Sequence, residues 1–460
     1  MYHTQEPNHK PLQKLLFRKK GRTDNMKKFN LIYCILLMSS CAANPNNSLI
    51  EPTFEESSQY KEHTLDNSLL MRKSNELVSN NDLINSDEYI SFANKLNLFS
   101  AKVSSLSFQE KNLILSPLSI YFNLTMLSQI TDNDSKNEIL SALEMTSFEV
   151  DSFTKLLYSN LTKSYNTHGY ETTDCIIDNS IWLDNNFNKK ESCLKNLSEN
   201  FYTSSYEINF SNNLNSNLLI SEHIKKETKN LLNISFDFSS ETRLTLLSSI
   251  YFHDIWDSCF NDLLTIENKE FINNDGNKIS TDYLQSNYLP GRIVMTNQYS
   301  SFYCETLYGY KLKFIVPNDG YSIKDIYTKE IINSVNSNYY QNENSHFTRC
   351  IFPEFKIENN SNISPILKDK LNVNSIFTKN ADFSTLTNES IVCDKIVHNA
   401  VIDVNKKGIE AAAVTYEELI SSSVIEGDIT FEDFEINKNF IFLLTDKNDV
   451  ILFSGTLLNL

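Results

Sequence analysis

The chain has 460 residues, 40% hydrophobic and 12% aromatic, enough for one large domain with an N-terminal extension or for two ordinary domains. Only nine glycines and nine prolines occur, which excludes collagen-like and Gly/Pro-rich disordered classes. The net charge of −17 offers no basic stripe to neutralise phosphates, so it argues against nucleic acid as a partner and for an acidic, soluble surface.

Along the chain, Met26-Lys-Lys is followed by a mostly apolar run over 29–38 and then by Ser39-Ser40-Cys41. A basic start, a short apolar core and small residues at its end predict a secretory signal peptide over 26–41. The run is shorter than the roughly 20 residues a membrane-spanning helix needs. Met38-Ser39-Ser40-Cys41 also resembles a bacterial lipobox, in which Cys41 would be lipidated and would supply the only membrane attachment. Met26 is then the start, and residues 1–25 are an overhang. Cleavage near Ala42 or Ala43, giving a freely secreted protein, is the other reading, and both export the chain. Residues 42–85 are rich in Asn, Ser and Glu and read as a solvated tether.

The main domain is expected over 86–460. Tyr89, Phe92, Ala93, Leu96 and Phe99 recur at helical spacing. Ser116-Pro117 opens a second helix, with serine as cap and proline in the first turn. Residues 219–232 predict a third, with Lys225, Lys226 and Glu227 on its polar side. The uncharged apolar run over 244–252 predicts a strand covered on both faces. Further strands are predicted over 311–316, 348–355, 397–404 and 440–444. Helices early and strands late give an α+β domain built around large sheets.

Eight cysteines, at 34, 41, 175, 193, 259, 304, 350 and 393, are widely scattered, and none forms a C-x-x-C pair. They are expected to pack as small hydrophobes, with no metal site, no cofactor and no assigned disulfide. No G-x-S-x-G elbow, P-loop or H-E-x-x-H motif is present, so an enzyme is not expected.

The stretch 404–424 carries the most chemistry. Gly408 supplies a permissive backbone, and Ala411-Ala412-Ala413 can enter a sheet without clashing. Read as a strand, it turns Ile409, Ala411, Ala413, Thr415, Glu417 and Leu419 to one face. Read alone, Glu410-Ala-Ala-Ala413 also suits a helix N-terminus.

An ordered set of segments resembles the serpin family. These are Asn112-Leu-Ile-Leu-Ser-Pro-Leu-Ser-Ile120; Ile220 with Thr228, where Ser221 and His223 replace the usual Asn and Trp; Thr242-Arg-Leu through Ile250-Tyr-Phe252 with Trp256 and Phe260; Ala381-Asp-Phe383; His398-Asn-Ala400; Val404 to Thr415; and Leu452-Phe-Ser-Gly455. Together they span about 370 residues in register. Departures are Ile130-Thr-Asp-Asn-Asp-Ser135, Asn439 and Leu460.

The resemblance implies a serpin fold with large mixed sheets, surrounding helices and an exposed reactive-centre loop. It also implies suicide-substrate inhibition of a serine or cysteine endopeptidase: cleavage of the loop, then its insertion into the main sheet. On that basis the hinge is Lys406, Gly408, Ile409, Glu410, Ala411, Ala412, Ala413 and Thr415, with Lys406 where the family has glutamate and Ile409 where it has threonine or serine. The reactive bond is expected at Ser422–Ser423, within a window of 421–426. No Lys or Arg lies between Gly408 and Glu435, so the target is elastase-, subtilisin-, chymotrypsin- or papain-like rather than trypsin-like. Ser116, Ser119, Ser248, His398 and Trp256 are implied to surround the opening sheet as a polar latch; where Ser248 stands the family tends to have an asparagine bonded to the histidine, and Trp256 packs near the top of the opening sheet. Ile409 and Glu417 are the two side chains that oppose insertion. A monomer is expected, and the alternative is a non-inhibitory member acting as protease substrate or binding module.

Overall fold

The computed structural model describes residues 64–167, 170–257, 265–290, 292–337, 346–393, 395–409 and 430–460. The expectations at Cys34, Cys41, Cys259, Glu410 to Ala413, Thr415, Glu417, Ser422 and Ser423 lie outside the described residues.

Ser86 caps the first long helix, Asp87–Leu106, by accepting the Tyr89 amide at 3.2 Å. Tyr89, Phe92, Leu96 and Phe99 are buried along one face. The helix Pro117–Ile130 is buried on every side, as expected for a helix at the centre of a large domain. Its cap is Ser116, whose Oγ accepts the Ser119 amide at 3.2 Å. The third predicted helix runs over Asn213–Glu227, starting and ending earlier than its periodicity suggests. It stops because Lys229 and Asn230 take positive φ of 48° and 69°.

Strands are numbered in chain order. The main sheet has eight: β1 (Leu69–Met71), β3 (Ser164–Thr167), β4 (Tyr170–Asp184), β5 (Thr203–Ile208), β6 (Leu244–Ile255), β14 (Phe355–Asn362), β15 (Val397–Asn405) and the two-residue β16 (Gly408–Ile409). Their order is β1-β5-β4-β6-β16-β15-β14, with β3 paired to β4. A six-stranded sheet holds β2 (Leu113–Leu115), β10 (Ile293–Met295), β11 (Tyr299–Glu305), β12 (Lys311–Pro317), β18 (Phe440–Thr445) and β19 (Ile451–Leu457). A five-stranded sheet holds β7 (Thr265–Ile272), β8 (Lys278–Gln285), β9 (Leu289–Pro290), β13 (His346–Pro353) and β17 (Thr430–Glu435).

The single strand predicted over 348–355 is two strands: β13 and β14 belong to different sheets and are joined at Glu354. The tether predicted over 42–85 is also shorter than expected, because residues 64–85 dock on the domain. The three apolar residues Leu69-Leu70-Met71 suffice to add an edge strand to β5. Just beyond, Lys73 Nζ reaches the Asp178 carboxylate at 3.6 Å and the Ile177 carbonyl at 3.1 Å.

The largest core cluster lies between the central helices and the sheets and includes Phe122, Phe252, Phe314, Phe352, Phe440 and Phe442. Four of the five described cysteines are buried and all five are free thiols.

Candidate functional site

β15 turns back on itself through Lys406 and Lys407 and enters the main sheet again as β16. Gly408 and Ile409 face Asn405 and Val404 on one side, and Ile255 and Asp254 on the other. Both pairings are antiparallel, so β6 and β15 are parallel to each other. Among the described residues they are joined only through β16.

Several contacts fix this tight hairpin. The Lys406 amide donates to Glu354 Oε1 at 2.7 Å, and the Lys407 amide donates to Asn405 Oδ1 at 3.0 Å. Trp256 Nε1–H donates to the Asn405 carbonyl at 2.8 Å, and its ring meets Phe352 edge to face. Gly408 has φ +151°, and a Cβ there would overlap the Asp254 carbonyl oxygen, so only glycine fits.

Ile409 is 2% exposed and contributes to a small apolar cavity lined also by Phe252, Ile402, Leu444 and Phe453. The side chain expected to resist entry is therefore already seated in the core. Its partner Asp254 is buried as well. The Asp254 carboxylate accepts from Thr173 Oγ1 at 2.6 Å and from the Tyr308 amide at 3.3 Å. Burial outweighs these donors and pushes its pKa up to about 6.

Six residues down each strand from the level of Ile409, the register brings His398 on β15 level with Ser248 on β6. The Ser116 amide donates to His398 Nε2 at 3.0 Å. Ser116 Oγ in turn donates to the Leu452 carbonyl at 2.9 Å and accepts from Ser119 Oγ at 3.1 Å. With Nε2 accepting, the imidazole carries its proton on Nδ1. Burial lowers its pKa to about 4, so it is neutral at pH 7. His398 Nδ1 and Ser248 Oγ are both buried, and neither has a hydrogen-bond partner among the described residues.

The predicted latch is thus divided. Ser116, Ser119 and His398 form one network. Ser248 stands at the level of His398, but the two share no hydrogen bond: the His398 bond is to the Ser116 amide, through Nε2, and Nδ1 and the Ser248 hydroxyl are left without described partners. Trp256 lies apart from that network, packed at the hairpin at the top of the sheet, where it fastens Asn405.

Sequence reasoning missed Asp254, Glu354 and the Asp178 cluster. A carboxylate closing the apolar run of β6 was the available signal for Asp254. For the cluster it was His223, in place of a tryptophan. His223 Nε2 lies 2.7 Å from Asp178 Oδ2, under the helix Asn213–Glu227. Burial alone would raise the Asp178 pKa, but His223 and Lys73 hold it down to about 2.

At the far end of residues 410–429, the chain re-enters the described fold as β17, parallel to β13. Two side-chain clamps reinforce that pairing. His346 bridges Thr430 Oγ1 at 2.7 Å and Glu432 at 3.1 Å, and Arg349 grips Asp433 with two bonds of 2.9 and 2.6 Å. Among the described residues no group of three or more His, Cys, Asp or Glu side chains could hold a metal ion.

Residues 90–460 match the family model described as Serpin (serine protease inhibitor). Alpha-1-antitrypsin of Meriones unguiculatus is 25% identical over 367 residues, covering 76% of this chain and 84% of the relative. Serine proteinase inhibitor 1 of Vaccinia virus (strain Copenhagen) is 25% identical over 365 residues, covering 75% and 95%. The native-state crystal structure of the thermophilic serpin tengpin superposes with a TM-score of 0.71 at 22% identity, covering 85% of this chain and 99% of that one.

Proposed function

The chain belongs to the serpin family, and on that premise we propose that it is a suicide-substrate inhibitor of a non-trypsin-like endopeptidase. In this reading the protease nucleophile attacks a carbonyl carbon near Ser422. The Ser422–Ser423 C–N bond breaks, the new amine leaves with a proton, and the acyl group stays on the protease. The freed segment then extends β16 down the main sheet, between β6 and β15, faster than water releases the ester.

The observation that carries this reading is β16 itself. Gly408 and Ile409 already occupy the first two places of that strand, paired on both sides. Continuing the same register sets Ala411 level with Ile402 and Phe252, Ala413 level with Ala400 and Ile250, and Thr415 level with His398 and Ser248. The two alanines thus add little volume beside Ile402, Phe252 and Ile250, and the first hydroxyl arrives where two buried polar groups await partners. Glu417, the other doubtful side chain, arrives at Leu246, within the part-exposed start of β6. A carboxylate there keeps access to water, which lowers its desolvation cost.

The absence of cations between Gly408 and Glu435 supports an elastase-, subtilisin-, chymotrypsin- or papain-like target. The export segment at 26–41, with or without a lipid on Cys41, would place the encounter outside the cytoplasm.

The test is incubation with those four proteases, followed by denaturing gels and N-terminal sequencing of the released fragment. A covalent complex with a new terminus at or near Ser423 is expected. Cleavage of the loop with no complex for any of the four would refute inhibition.

A further inference from the structure

Among the described residues the five-stranded sheet ends on β17, an edge strand that begins where residues 410–429 end. Exposed edges are usually blunted by charge, and Glu432, Asp433 and Glu435 do this here. Phe431 does not: it is 63% exposed on the outward face. Nor is it isolated. Tyr288, 37% exposed, meets its ring edge to face at 5.0 Å, and half-buried Phe347 lies 5.7 Å away on the paired strand.

The platform is stiff. The Arg349 guanidinium sits 4.8 Å over Tyr288, and the Tyr288 hydroxyl donates to Asp433 at 2.8 Å, the same carboxylate that Arg349 grips. Rigid tyrosine, phenylalanine and arginine groups of this kind are the usual anchors of protein interfaces. Scattered exposed apolar residues need no explanation, but three touching rings locked by a buttressed arginine form one contiguous feature.

We propose that Tyr288, Phe347 and Phe431 form a docking surface for the target protease, on the side of its active site that binds residues after the cleaved bond. This rests on the inhibitory reading above for the identity of the partner. The argument is one of reach. Ser423 and Phe431 are eight residues apart, at most about 29 Å at full stretch. A protease domain of ordinary size is roughly 45 Å across, so one closed on that bond has this face within its reach. The loop holds it there, and contact with the three rings becomes an intramolecular event needing little affinity of its own. The complement is an apolar side chain on the protease surface beside its primed subsites.

The experiment compares wild type, Phe431→Ala, Tyr288→Ala and the conservative Phe431→Tyr. Proteases are first selected as those that cleave a free peptide spanning residues 414–429. For each, the second-order rate of reaction with the intact protein is measured as complex plus cleaved product. The stoichiometry of complex formation and Tm are recorded alongside. For at least one protease, Phe431→Ala and Tyr288→Ala should slow the reaction about tenfold, the scale of one aromatic anchor. Phe431→Tyr should keep most of the rate, Tm should hold, and the free peptide should show no matching preference among proteases. Rates within twofold of wild type for every selected protease overturn the docking surface. So does a wild-type dimer that Phe431→Ala dissociates, which would assign the rings to a second copy. Cleavage without complex defeats only the inhibitory reading, because the rate ratio still decides this one.

Discussion

Thr415→Val tests the register of insertion at its most specific point. The level of Ile409 fixes where Thr415 arrives: between His398 and Ser248, whose Nδ1 and Oγ are buried without described partners. Threonine can accept from the imidazole N–H and exchange a hydrogen bond with the serine, whereas valine has the same shape and can do neither. An unsatisfied buried polar group costs about 1–3 kcal/mol, so the loop-cleaved Thr415→Val protein should be less stable than cleaved wild type by that amount. The uncleaved proteins should be equally stable, because in the proposed mechanism Thr415 meets His398 and Ser248 only after cleavage. With an unfolding entropy near 2.1 cal/mol/K per residue over about 370 residues, the penalty shifts Tm by roughly 1–4 °C. The assay is calorimetry or guanidinium unfolding on four samples, each variant before and after cleavage, with Thr415→Ser as the control that restores the hydroxyl. Equal stability of the two cleaved proteins would refute the register. A loss of the same size in the uncleaved protein would show that Thr415 acts elsewhere.

Three other outcomes are expected. Gly408→Ala forces a methyl against the Asp254 carbonyl, so the hairpin should part from β6, with faster proteolytic nicking near residue 408 and more cleaved product per complex. Asp178→Ala strands Lys73 and His223 around an emptied site and should cost about 3–5 kcal/mol in denaturant unfolding. The third is a pH dependence. The folded His398 pKa of about 4 lies below its unfolded value of 6.5, so its contribution is complete above pH 6.5 and disappears as pH falls towards 4. Asp254 and Asp446, the latter buried in the turn between β18 and β19, are both pushed up to about 6 by burial and change stability in the opposite direction over much the same range. The clean readout is therefore a difference: between pH 6.5 and 4, wild type should lose roughly 3 kcal/mol relative to His398→Gln.

Local chemistry made much of this fold legible. The cap at Ser116, the proline behind it and the spacing of Tyr89, Phe92, Leu96 and Phe99 each act over a few residues, so they can be read without tertiary knowledge. The strand split at Glu354 could not be read so, because the apolar run Ile351-Phe352-Pro353 continues past Glu354 into Phe355 and Ile357, and only the partners of β13 and β14 separate them. The helix end near Thr228 depended on two left-handed residues, neither of them glycine. At the site, alternation turned Ile409 inward, yet its bulk suggested resistance where the side chain is buried in the main core cluster. Lys406 showed a missing glutamate, but not that Glu354, from another sheet junction, binds its amide. Nor could the sequence show that the Ser116 amide takes His398 Nε2, which leaves the imidazole proton on Nδ1.

The two-residue turn at Lys406 and Lys407 has a kinetic consequence. Starting a new strand is normally the slow part of sheet growth, since chain entropy is lost before any pairing repays it. Here that stage is completed when the protein first folds, because β15 and β16 already form a closed hairpin with both ladders begun. On the proposed mechanism, insertion starting from Ile409 is therefore propagation without nucleation. Its speed is set by how readily β6 and β15 separate for each added pair of residues, and substitutions along those two strands should tune the race against ester hydrolysis more finely than changes at the turn.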